Sequence, residues 1–536
     1  MRYLDCQSKK LSLYFHTIRY LKYSQWYWQC VRRIYHPKIT TQINPIQIKP
    51  IFKRFMTPYL YHHMVFKKNN ISFLNEDILY NKDIWTQSQE KSKLWQYNLQ
   101  YFYSILSNDR DTVILTKKLL QSWLVACPLY SKPAWDPYPI SIRISNLIKY
   151  QLMHHDLSHK VLDSLYLQAR YLYKIPEYHL LGNHLLENAR ALVFAGGFFQ
   201  GDEPSKWFRL GMKILHREIP EQILDDGGYF ELSPMYHSLI LELMLDLYNF
   251  FKIYQIEFPV LWLERLQKMR YWLKAMTHPD GEIAFFNDTA IGIATAPDRL
   301  EKYANRLQLP IISDIQNGIT HLKKSGFIRL QREKIVAILD CANIGPDYQP
   351  AHAHADTLSF ELSIDGQRCI VNAGTSVYRD NPVLRQWQRG TASHSTVEIN
   401  HRNSSDIWGV FRVGKRAYPC DLAIEDTADE WVIRCGHTGY QSLHTKHIRV
   451  WKLKNNTLLI NDYCDTELPA ISRYYLHPNV VVHKLSLLVG QNKISVHADA
   501  DIKIESSEYY PEFGKIVPSH VITQEFLKNS NVQFSW

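Results

Sequence analysis

The hydrophobic spacing of this chain changes near Gly326, and that change constrains the fold more than any other feature. Before it, Leu239, Leu243 and Leu247 recur every four residues after Tyr236, which is the spacing of one helical face. Proline and glycine turns cut this part of the chain into pieces the length of a helical hairpin. We therefore expect repeated helical hairpins, arranged as a toroid or solenoid of helix pairs.

Further along the chain the hydrophobic period becomes two. Leu358, Phe360 and Leu362 alternate with more polar neighbours, and the Asp365-Gly366 pair that follows is typical of a hairpin turn. The alternation returns in residues 448–460, again around a turn signal. This pattern predicts an antiparallel β-sandwich.

A chain of 536 residues exceeds one ordinary core, so we expect an α+β protein with two main domains and a short arm. The expected boundaries are residues 1–70 for a basic aromatic helical arm, 71–315 for the toroid and 316–536 for the sandwich. Residues 11–35 of the arm mix Tyr, Trp, Phe and Leu with Arg and Lys, which favours a basic amphipathic helix on an anionic membrane. A helical arm packed on the rest of the protein is the alternative.

The charge balance favours an anionic partner. The 62 Lys and Arg residues against 52 Asp and Glu leave a net charge of +10, which suits an acidic polysaccharide, a membrane surface or nucleic acid. No helix-turn-helix, zinc-finger or RNA-binding signature accompanies this charge, so no nucleic-acid partner is expected. The 34 Tyr and 14 Trp residues favour a carbohydrate groove, because such rings stack on sugars while their polar ends form hydrogen bonds.

The sequence shows neither a secretory signal nor an apolar run long enough to span a bilayer. We therefore expect a cytoplasmic protein with a peripheral contact at the inner membrane, acting in the synthesis or editing of a bacterial surface polysaccharide. The eight Cys are scattered without CxxC pairs, which favours reduced thiols over disulfides or a thiolate metal site. No organic cofactor is expected.

The first cluster of chemically useful residues lies in the helical half. Asn183, His184 and Glu187 have the spacing that places three side chains on one face of a helix. The alternative is structural, with Asn183 as a helix N-cap and His184 satisfied by Glu187. Tyr236 follows a Gly-Gly turn and a Ser-Pro pair, which predicts the first turn of a helix, where the dipole favours phenolate. A core tyrosine is the alternative there.

The second cluster opens the β half. His352, His354 and Asp356 alternate, so in an extended segment their side chains share one face. This spacing is moderately specific for a metal site or for acid-base chemistry, and His394 is placed to complete a metal shell from a neighbouring strand. Surface histidines are the alternative.

These residues together match a known family, and the chain resembles the heparinase II/III-like polysaccharide lyases. The resemblance is carried by the Asn-His pair at 183–184, the Asp-Gly-Gly-Tyr-x-Glu-x-Ser-Pro-x-Tyr stretch at 226–236, His-x-His-x-Asp at 352–356, Thr-x-x-His-x-Thr-Val at 391–397, and the segments 135–143 and 279–288. It implies an (α/α) toroid followed by an antiparallel β-sandwich, with the active cleft between them.

The resemblance further implies β-elimination on a uronic-acid polysaccharide, which leaves a 4,5-unsaturated sugar at the new non-reducing end. By position, Asn183 and His184 would neutralise the C6 carboxylate and so acidify the C5 proton. Tyr236 would act as base, as acid to the leaving oxygen, or as both, and His352 would be the second acid-base residue. The chemistry agrees, because donors aimed at developing enolate charge are commonly the largest catalytic effect.

Substrate-binding and metal sites are also expected. The expected substrate-binding residues are Glu187, Trp135, Tyr138, Arg143, Asn287, Tyr378 and Arg389. Family members that hold a structural metal are similar at His354 and His394, but they have Asp where this chain has Asn372. Because an amide oxygen is a weaker ligand than a carboxylate, zinc is expected to bind weakly or not at all.

Three other functions stay open. A metallo-hydrolase also begins its site with His-x-His-x-Asp, but that class has His where this chain has Thr357. A toroidal glycoside hydrolase would use carboxylates such as Asp225, Asp226 or Glu231. A non-catalytic glycan-binding or assembly protein would keep the cleft without turnover. Product chemistry separates elimination from hydrolysis, because only elimination leaves a conjugated chromophore.

Overall fold

A computed structural model describes residues 2–58, 65–67 and 70–536 of the chain. The helices are α1 (Arg2–Ile18), α2 (Tyr23–Ile34), α3 (Ile84–Gln87), α4 (Lys93–Tyr101), α5 (Arg110–Ala126), α6 (Pro137–His154), α7 (His159–Lys174), α8 (Gly182–Phe198), α9 (Asp202–Gln222), α10 (Pro234–Ile253), α11 (Val260–Ala275), α12 (Pro297–Arg306) and α13 (Pro382–Gln388). Most of them precede residue 307, as the helical spacing predicts.

The strands are β1 (Val65–Lys67), β2 (Asn70–Phe73), β3 (Glu76–Leu79), β4 (Gly318–Leu322), β5 (Phe327–Arg332), β6 (Ile335–Asp340), β7 (Phe360–Ile364), β8 (Gln367–Val371), β9 (Val397–Ile399), β10 (Ile407–Trp408), β11 (Arg412–Val413), β12 (Pro419–Asp426), β13 (Glu430–His437), β14 (His447–Lys454), β15 (Thr457–Cys464), β16 (Ala470–Leu476), β17 (Val481–His483), β18 (Ser486–Val489), β19 (Asn492–Ala498), β20 (Ile502–Tyr509), β21 (Val517–Phe526) and β22 (Asn529–Ser535). All but the first three follow residue 317.

The helical part has an inner and an outer layer. Helices α6, α8 and α10 are buried along nearly their whole length, whereas α7, α9 and α11 bury only one face. An apolar circumference marks an inner helix and an amphipathic one marks an outer helix. The layers approach closely, since a Cβ at Gly196 of α8 would lie 2.4 Å from Phe208 N of α9. The predicted toroid of helical hairpins is confirmed.

The β part consists of two stacked sheets. The first has the strand order β12-β13-β14-β15-β22-β19-β18-β17, and the second has the order β20-β21-β16-β8-β7-β6-β5-β4 with β9 paired to β16. Adjacent strands are antiparallel, and the two sheets enclose an apolar core that includes Phe360, Trp451 and Phe534. The predicted antiparallel β-sandwich is confirmed.

The second sheet is buried on both faces, because its outer face packs on the toroid. Phe327 of β5 meets Trp272 of α11 in this interface. The polar members of the β7 alternation, Glu361 and Ser363, are buried there too, and both contact His278. Positions that look solvent-facing in the sequence therefore hold the two domains together.

The N-terminal arm packs on the β domain and on the chain that leads to the site. Thr17 Oγ1 donates to the carbonyl of Val413 at 3.1 Å, and Gln25 Nε2 donates to that of Tyr348 at 3.1 Å. On its outer side the arm exposes apolar rings, among them Tyr23 at 94%. Within the described part of the chain, no helix combines the length and the apolar character that crossing a membrane requires.

Candidate active site

The beginning of α8 and the loop between β6 and β7 meet at the carboxyl group of Glu231. A Cβ on Gly182, the first residue of α8, would lie 2.8 Å from Glu231 Oε1. Glu231 Oε2 lies 3.7 Å from His352 Nε2. The two clusters of polar residues, far apart in the sequence, therefore share one site between the domains.

The toroid side of this site is built by the first turn of α8 and by α6. Leu181 and Gly182 both have positive φ, 59° and 55°, so the chain enters the helix through a sharp turn. The next residue, Asn183, donates from Nδ2 to Tyr138 OH at 3.4 Å, and the His184 ring centroid lies 4.4 Å from that of Tyr138. An amide, an imidazole and a phenol thus stand together.

His184 pairs with Glu177 and not with Glu187. Its Nδ1 lies 3.1 Å from Glu177 Oε2. Burial disfavours the imidazolium, but the charge and hydrogen bond of Glu177 outweigh burial and raise the pKa of His184. Burial likewise opposes ionisation of Glu177, yet His184 holds the pKa of that carboxyl below its ordinary value. His184 therefore favours the imidazolium form more than a free histidine does, which suits an anion in the site.

Glu187 belongs to a buried ion-pair network instead of the substrate surface. Its Oε2 lies 2.6 Å from Arg190, and Arg190 also reaches Asp246 at 2.9 Å. Lys149 joins the same aspartate at 2.7 Å. Burial raises the pKa of Glu187 to about 7 despite Arg190. In this structure Arg190 occupies Glu187 instead of leaving it to pair with His184, and the substrate-binding role of Glu187 stays a prediction.

Tyr236 occupies the first turn of α10, as its sequence context predicts. Ser233 caps this helix by accepting from the Tyr236 backbone N–H at 3.2 Å. The Tyr236 hydroxyl lies 3.1 Å from that of Tyr378, and its ring centroid lies 3.9 Å from that of His352. Burial, Tyr378 and the Asp288 charge raise the pKa of Tyr236 well above its usual value. This raised pKa favours the phenol over the expected phenolate in the unliganded protein.

His352 is held by Asp288, a buried acid to which the sequence analysis assigns no role. Its Nδ1 lies 2.9 Å from Asp288 Oδ2, and Arg385 binds both oxygens of Asp288. Burial alone would raise the pKa of Asp288, but Arg385, His352 and His354 hold it well below the ordinary range. The ionised Asp288 pairs with His352 through Nδ1, which leaves Nε2 of that ring facing Glu231.

Residues 352–356 form a loop and not the expected extended strand. His354 Nε2 lies 2.8 Å from Asp288 Oδ1, so both histidines converge on one carboxylate. Asp356 does not contact Asp288 in this way; its carboxylate accepts from the Asn287 backbone N–H at 3.0 Å. The two oxygens of Asp288 thus organise the loop in place of a shared strand face.

Arg143 and Arg389 are structural, contrary to the expectation that they bind substrate. Arg143 is fully buried and donates to Gln168 Oε1 and to two backbone carbonyls at 2.7–3.0 Å. Arg389 is also fully buried and donates to the carbonyls of Ala353 at 3.0 Å and Val410 at 3.1 Å. Each guanidinium holds loops together and has no exposed face for a glycan.

Trp135 and Asn287 are likewise occupied, whereas Tyr138 and Tyr378 lie at the site. Trp135 is 6% exposed and donates from Nε1 to a backbone carbonyl. Asn287 accepts from the His354 backbone N–H at 2.9 Å and donates to a backbone carbonyl at 3.1 Å. The substrate-binding role expected of Trp135 and Asn287 is therefore wrong, because their polar atoms serve the backbone.

His354, Asp356 and His394 form a cluster suited to a metal ion. One ligand atom from each lies within 4.8 Å of the others, and all three residues are buried. His354 Nδ1 lies 3.2 Å from His394 Nε2, and His394 Nδ1 has no hydrogen-bond partner among the described residues. Two nitrogens about 2.0–2.1 Å from a tetrahedral zinc stand at a similar separation. The donor set therefore fits zinc.

Asn372 forms hydrogen bonds with the backbone next to this cluster. Its Oδ1 accepts from the Ser395 backbone N–H at 3.1 Å, and its Nδ2 donates to the Phe285 carbonyl at 2.8 Å. Both ends of the amide are thus engaged in joining three segments of backbone. Asp356 supplies a carboxylate oxygen near the two histidines, and weak zinc binding because of Asn372 stays a prediction.

The other carboxylates considered for hydrolysis lie in turns. Asp225 is paired with Arg265, and its side chain is 61% exposed. Asp226 Oδ2 accepts from the Ser325 backbone N–H at 2.7 Å. Of the three carboxylates, Glu231 faces the site. Asp225, Asp226 and Glu231 therefore do not form the pair of carboxylates that a glycoside hydrolase needs. The toroid also differs from the αββα sandwich expected of the metallo-hydrolase.

The sequence interpretation missed the roles of Glu177, Asp288 and Arg385. Asp288 lies in the segment 279–288 that carries the family resemblance, directly after Asn287, so the sequence could have indicated a role for it in the site. Glu177 follows Pro176 in an ordinary turn, and Arg385 lies on a short surface-like helix far along the chain. Nothing in the local pattern of those two residues indicates an active site.

Family models match nearly the whole chain. The model described as Heparinase II/III N-terminus matches residues 16–308, and the model described as Heparinase II/III-like, C-terminal matches residues 315–536. Similar proteins include the heparin-sulfate lyase of Bacteroides stercoris, 28% identical over 42% of this chain and 37% of its own length. The heparin-sulfate lyase of Pedobacter heparinus is 27% identical over 51% of this chain and 45% of its own length. The chain thus spans less than half the length of these curated relatives.

Solved structures share the architecture. A crystal structure of heparinase III has a TM-score of 0.65 and 19% identity, covering 82% of this chain and 75% of that one. The heparan sulfate lyase HepC from Pedobacter heparinus has a TM-score of 0.57 and 20% identity, covering 88% of this chain and 81% of that one. At such identity the likeness concerns the fold alone.

Proposed function

The chain belongs to the heparinase II/III family, and from that premise we propose that it is a polysaccharide lyase which cleaves a uronic-acid-containing polysaccharide by β-elimination. The observation that carries the proposal is the stacking of Tyr236 on His352, next to Glu231 and the first turn of α8. The names of the curated relatives favour a glycosaminoglycan-like substrate. The net charge of +10 also favours an anionic polymer.

Elimination needs a base for the C5 proton, an acid for the leaving oxygen and donors at the C6 carboxylate. Asn183 and His184 supply an amide N–H and a cationic imidazole N–H for that carboxylate. As the base takes the C5 proton, the C4–C5 double bond forms and the C4–O bond breaks. The leaving oxygen then receives a proton, which completes the exchange.

Tyr236 is suited to act as the acid and His352 as the base. The raised pKa of Tyr236 keeps its phenol protonated, so the hydroxyl has a proton to give to the leaving oxygen. Asp288 orients His352 through Nδ1 and leaves Nε2 free to accept the C5 proton. The same aspartate stabilises the imidazolium that forms.

A panel of uronic-acid polymers tests this function. Purified protein is incubated with heparan sulfate, chondroitin sulfate, hyaluronan and alginate while ultraviolet absorbance is followed. We expect absorbance to rise with at least one of them, because the new double bond is conjugated with the carboxylate. Chain shortening without absorbance would instead indicate hydrolysis, and binding without either change would indicate a non-catalytic glycan-binding protein.

Replacing Asn183 or His184 by Ala should lower kcat by about 10²–10³-fold, the usual effect of losing one donor to a developing oxyanion. KM should change less than kcat, because the carboxylate needs its donors most as enolate charge develops. Initial rates at saturating and limiting substrate separate the two constants. Asn146→Ala is the matched control, since that buried amide donates to Tyr101 O at 3.0 Å within the toroid. Normal kcat with raised KM in the Asn183 and His184 variants would make both residues binding groups only.

We also propose that zinc binds the cluster of His354, Asp356 and His394 and stabilises the β domain. When bound, zinc would tie the loop that carries His352 to the chain around His394, and it would take no part in the elimination. Free zinc at about 100 times its Kd should stabilise the protein by roughly 2.7 kcal/mol. Thermal unfolding with and without zinc measures this. His394→Ala should abolish the gain, whereas His437→Ala, at a second buried histidine pair whose carboxylate neighbour Asp462 is already bound by Arg449, should keep it. An equal gain in both variants would place zinc elsewhere.

We further propose a peripheral membrane contact through the arm. Tyr23, Tyr27 and Ile34 are 94%, 63% and 83% exposed, and Arg33 is exposed beside them. Apolar side chains next to cations bind anionic lipid by insertion together with charge attraction. The protein should sediment with anionic vesicles at low salt and detach at high salt, while Tyr23→Ser/Tyr27→Ser should not sediment. Equal sedimentation with neutral vesicles would contradict the role of charge. Action inside the cell stays a prediction.

A further inference from the structure

Glu231 is a buried carboxyl group that lacks a hydrogen bond. The residue is 2% exposed, and neither Oε1 nor Oε2 has a partner among the described residues. The backbone on its C-terminal side is held by Leu232, with φ at 58°, and by the Ser233 cap of α10. Leaving such a group unpaired is unfavourable, because the hydrogen bonds that it loses with water are not replaced. Its presence at the meeting point of two domains indicates that a ligand supplies the missing partner.

The charged groups around Glu231 come from both walls of the site. His184 faces it from α8, and His352 faces it from the loop between β6 and β7. Asp288 lies beyond His352 and is itself neutralised by Arg385. The phenols whose electrostatic surroundings include Glu231 are Tyr229, Tyr236, Tyr348 and Tyr378. Imidazoles and phenols thus surround Glu231 on both sides, and the nearby carboxylate of Asp288 is already paired with Arg385.

A uronate carboxylate bound by Asn183 and His184 must come close to Glu231. Gly182 precedes Asn183 directly, and Glu231 Oε1 lies 2.8 Å from the position that a Cβ at residue 182 would take. Two carboxylates side by side do not both ionise readily. One proton shared between them removes the repulsion and gives a charge-assisted hydrogen bond.

We propose that Glu231 contacts the substrate as a protonated acid and donates a hydrogen bond to the carboxylate of the bound uronic acid. The proposal rests on the lyase function proposed above and names the residue that selects an acidic sugar over a neutral one. The proton enters from solvent when substrate binds and returns to solvent when product leaves. No bond to carbon is made or broken by Glu231.

The electrostatics support this assignment. Burial raises the pKa of Glu231, although His352 and His184 oppose the shift. A second carboxylate at hydrogen-bond distance raises that pKa further in the complex. A group whose pKa rises on binding makes affinity highest at low pH, and the gain is lost as pH rises through the pKa of the complex.

Proton uptake on binding is the direct test. The ligand is the unsaturated oligosaccharide product of whichever polymer the wild-type protein cleaves, because it keeps the C6 carboxylate and is not consumed. Isothermal titration calorimetry in buffers of different ionisation enthalpy counts the protons bound, at several pH values from mildly acidic to mildly basic. We expect uptake to approach about one proton per site at the pH where free Glu231 is ionised, with affinity falling as pH rises.

Two variants separate the proton from the hydrogen bond. Glu231→Gln keeps an N–H donor and loses the titrating group, so uptake should vanish while Kd at low pH stays within about threefold. Glu231→Ala should weaken binding by about tenfold at low pH, because the donor itself is gone. Glu242→Gln is the control, since Glu242 is another buried carboxyl with a raised pKa, but Thr295 already donates to it at 2.7 Å. Uptake should be unchanged there.

Each other result overturns the proposal. Uptake that persists in Glu231→Gln assigns the proton to an imidazole of the site and not to Glu231. Absence of uptake in the wild-type protein at every pH makes Glu231 an acceptor for a sugar hydroxyl, and this measurement does not depend on any variant folding. Cleavage without uptake refutes this proposal alone. A wild-type protein that neither cleaves nor binds any uronic-acid polymer refutes the lyase function, and this proposal falls with it.

Discussion

Tyr236→Phe should lower kcat by about 10²–10⁴-fold, the usual contribution of a positioned acid or base. The substitution removes one oxygen and keeps the ring, so the stacking on His352 at 3.9 Å should persist. Tyr378 loses a hydroxyl partner at 3.1 Å but keeps its own side chain in place. KM should therefore change little, and far-ultraviolet circular dichroism should match that of the wild type.

The matched control for that variant is Tyr440→Phe. Tyr440 is a buried tyrosine of the β domain whose hydroxyl donates to the Val397 carbonyl at 2.8 Å. Its loss should cost about 1–3 kcal/mol of stability by leaving a carbonyl unpaired, without lowering kcat. Retention of more than about a tenth of wild-type activity in Tyr236→Phe would remove Tyr236 from the acid-base pair.

Asp288→Asn should have the second large effect, on both rate and stability. The neutral amide leaves the fully buried Arg385 without its counter-charge, and removing one partner of a buried pair costs about 3–5 kcal/mol. The amide also donates where the carboxylate accepted, which favours the wrong tautomer of His352. In serine proteases the equivalent loss lowers kcat by about 10⁴-fold. Urea unfolding and initial rates measure the two effects separately.

Asp280→Asn provides the comparison, because Arg368 binds Asp280 at 2.8 Å in a similar pair. The acid of this pair is 34% exposed, so stability should fall less, and kcat should stay within about twofold because neither residue belongs to the proposed acid-base pair. If Asp288→Asn keeps wild-type kcat once its stability is corrected for, Asp288 is a structural anchor and does not set the tautomer of His352.

The same aspartate predicts a direction for pH dependence. The folded-state pKa of Asp288 is depressed by Arg385 and two histidines, so its contribution to stability is complete above the unfolded carboxyl pKa. That contribution is lost as pH falls through the lowered folded value. Urea unfolding at a series of acidic pH values should therefore show a steeper loss of stability in the wild type than in Asp288→Asn.

Sequence reasoning reached the fold because its signals are local. The change from helical spacing to alternation near Gly326 coincides with the start of the β-sandwich, and Ser-Pro before Tyr236 marks the first turn of α10. Alternation could not reveal which faces are exposed. Glu361 and Ser363 look solvent-facing in β7, yet the toroid covers them, since burial on a second face depends on another domain.

The candidate site was also predictable only in part. The positions of Asn183, His184, Tyr236 and His352 follow from motifs, because each motif is a short run with fixed spacing. Which partners these residues take does not follow. His184 pairs with Glu177 and not with Glu187. Arg143 and Arg389 donate to backbone carbonyls. The sequence does not reveal this, because an arginine that binds a glycan and one that binds a loop are the same residue.

By itself the sequence determined the order of a helical domain and a β domain, and the residue types available for acid-base chemistry. Both are properties of neighbours along the chain. Only the tertiary structure decided that Tyr236 stays a phenol, that Asp288 and Arg385 hold His352, and that Glu231 stands unpaired between the two walls. Burial and pairing depend on groups brought together from both domains, and spacing within one segment carries no information about them.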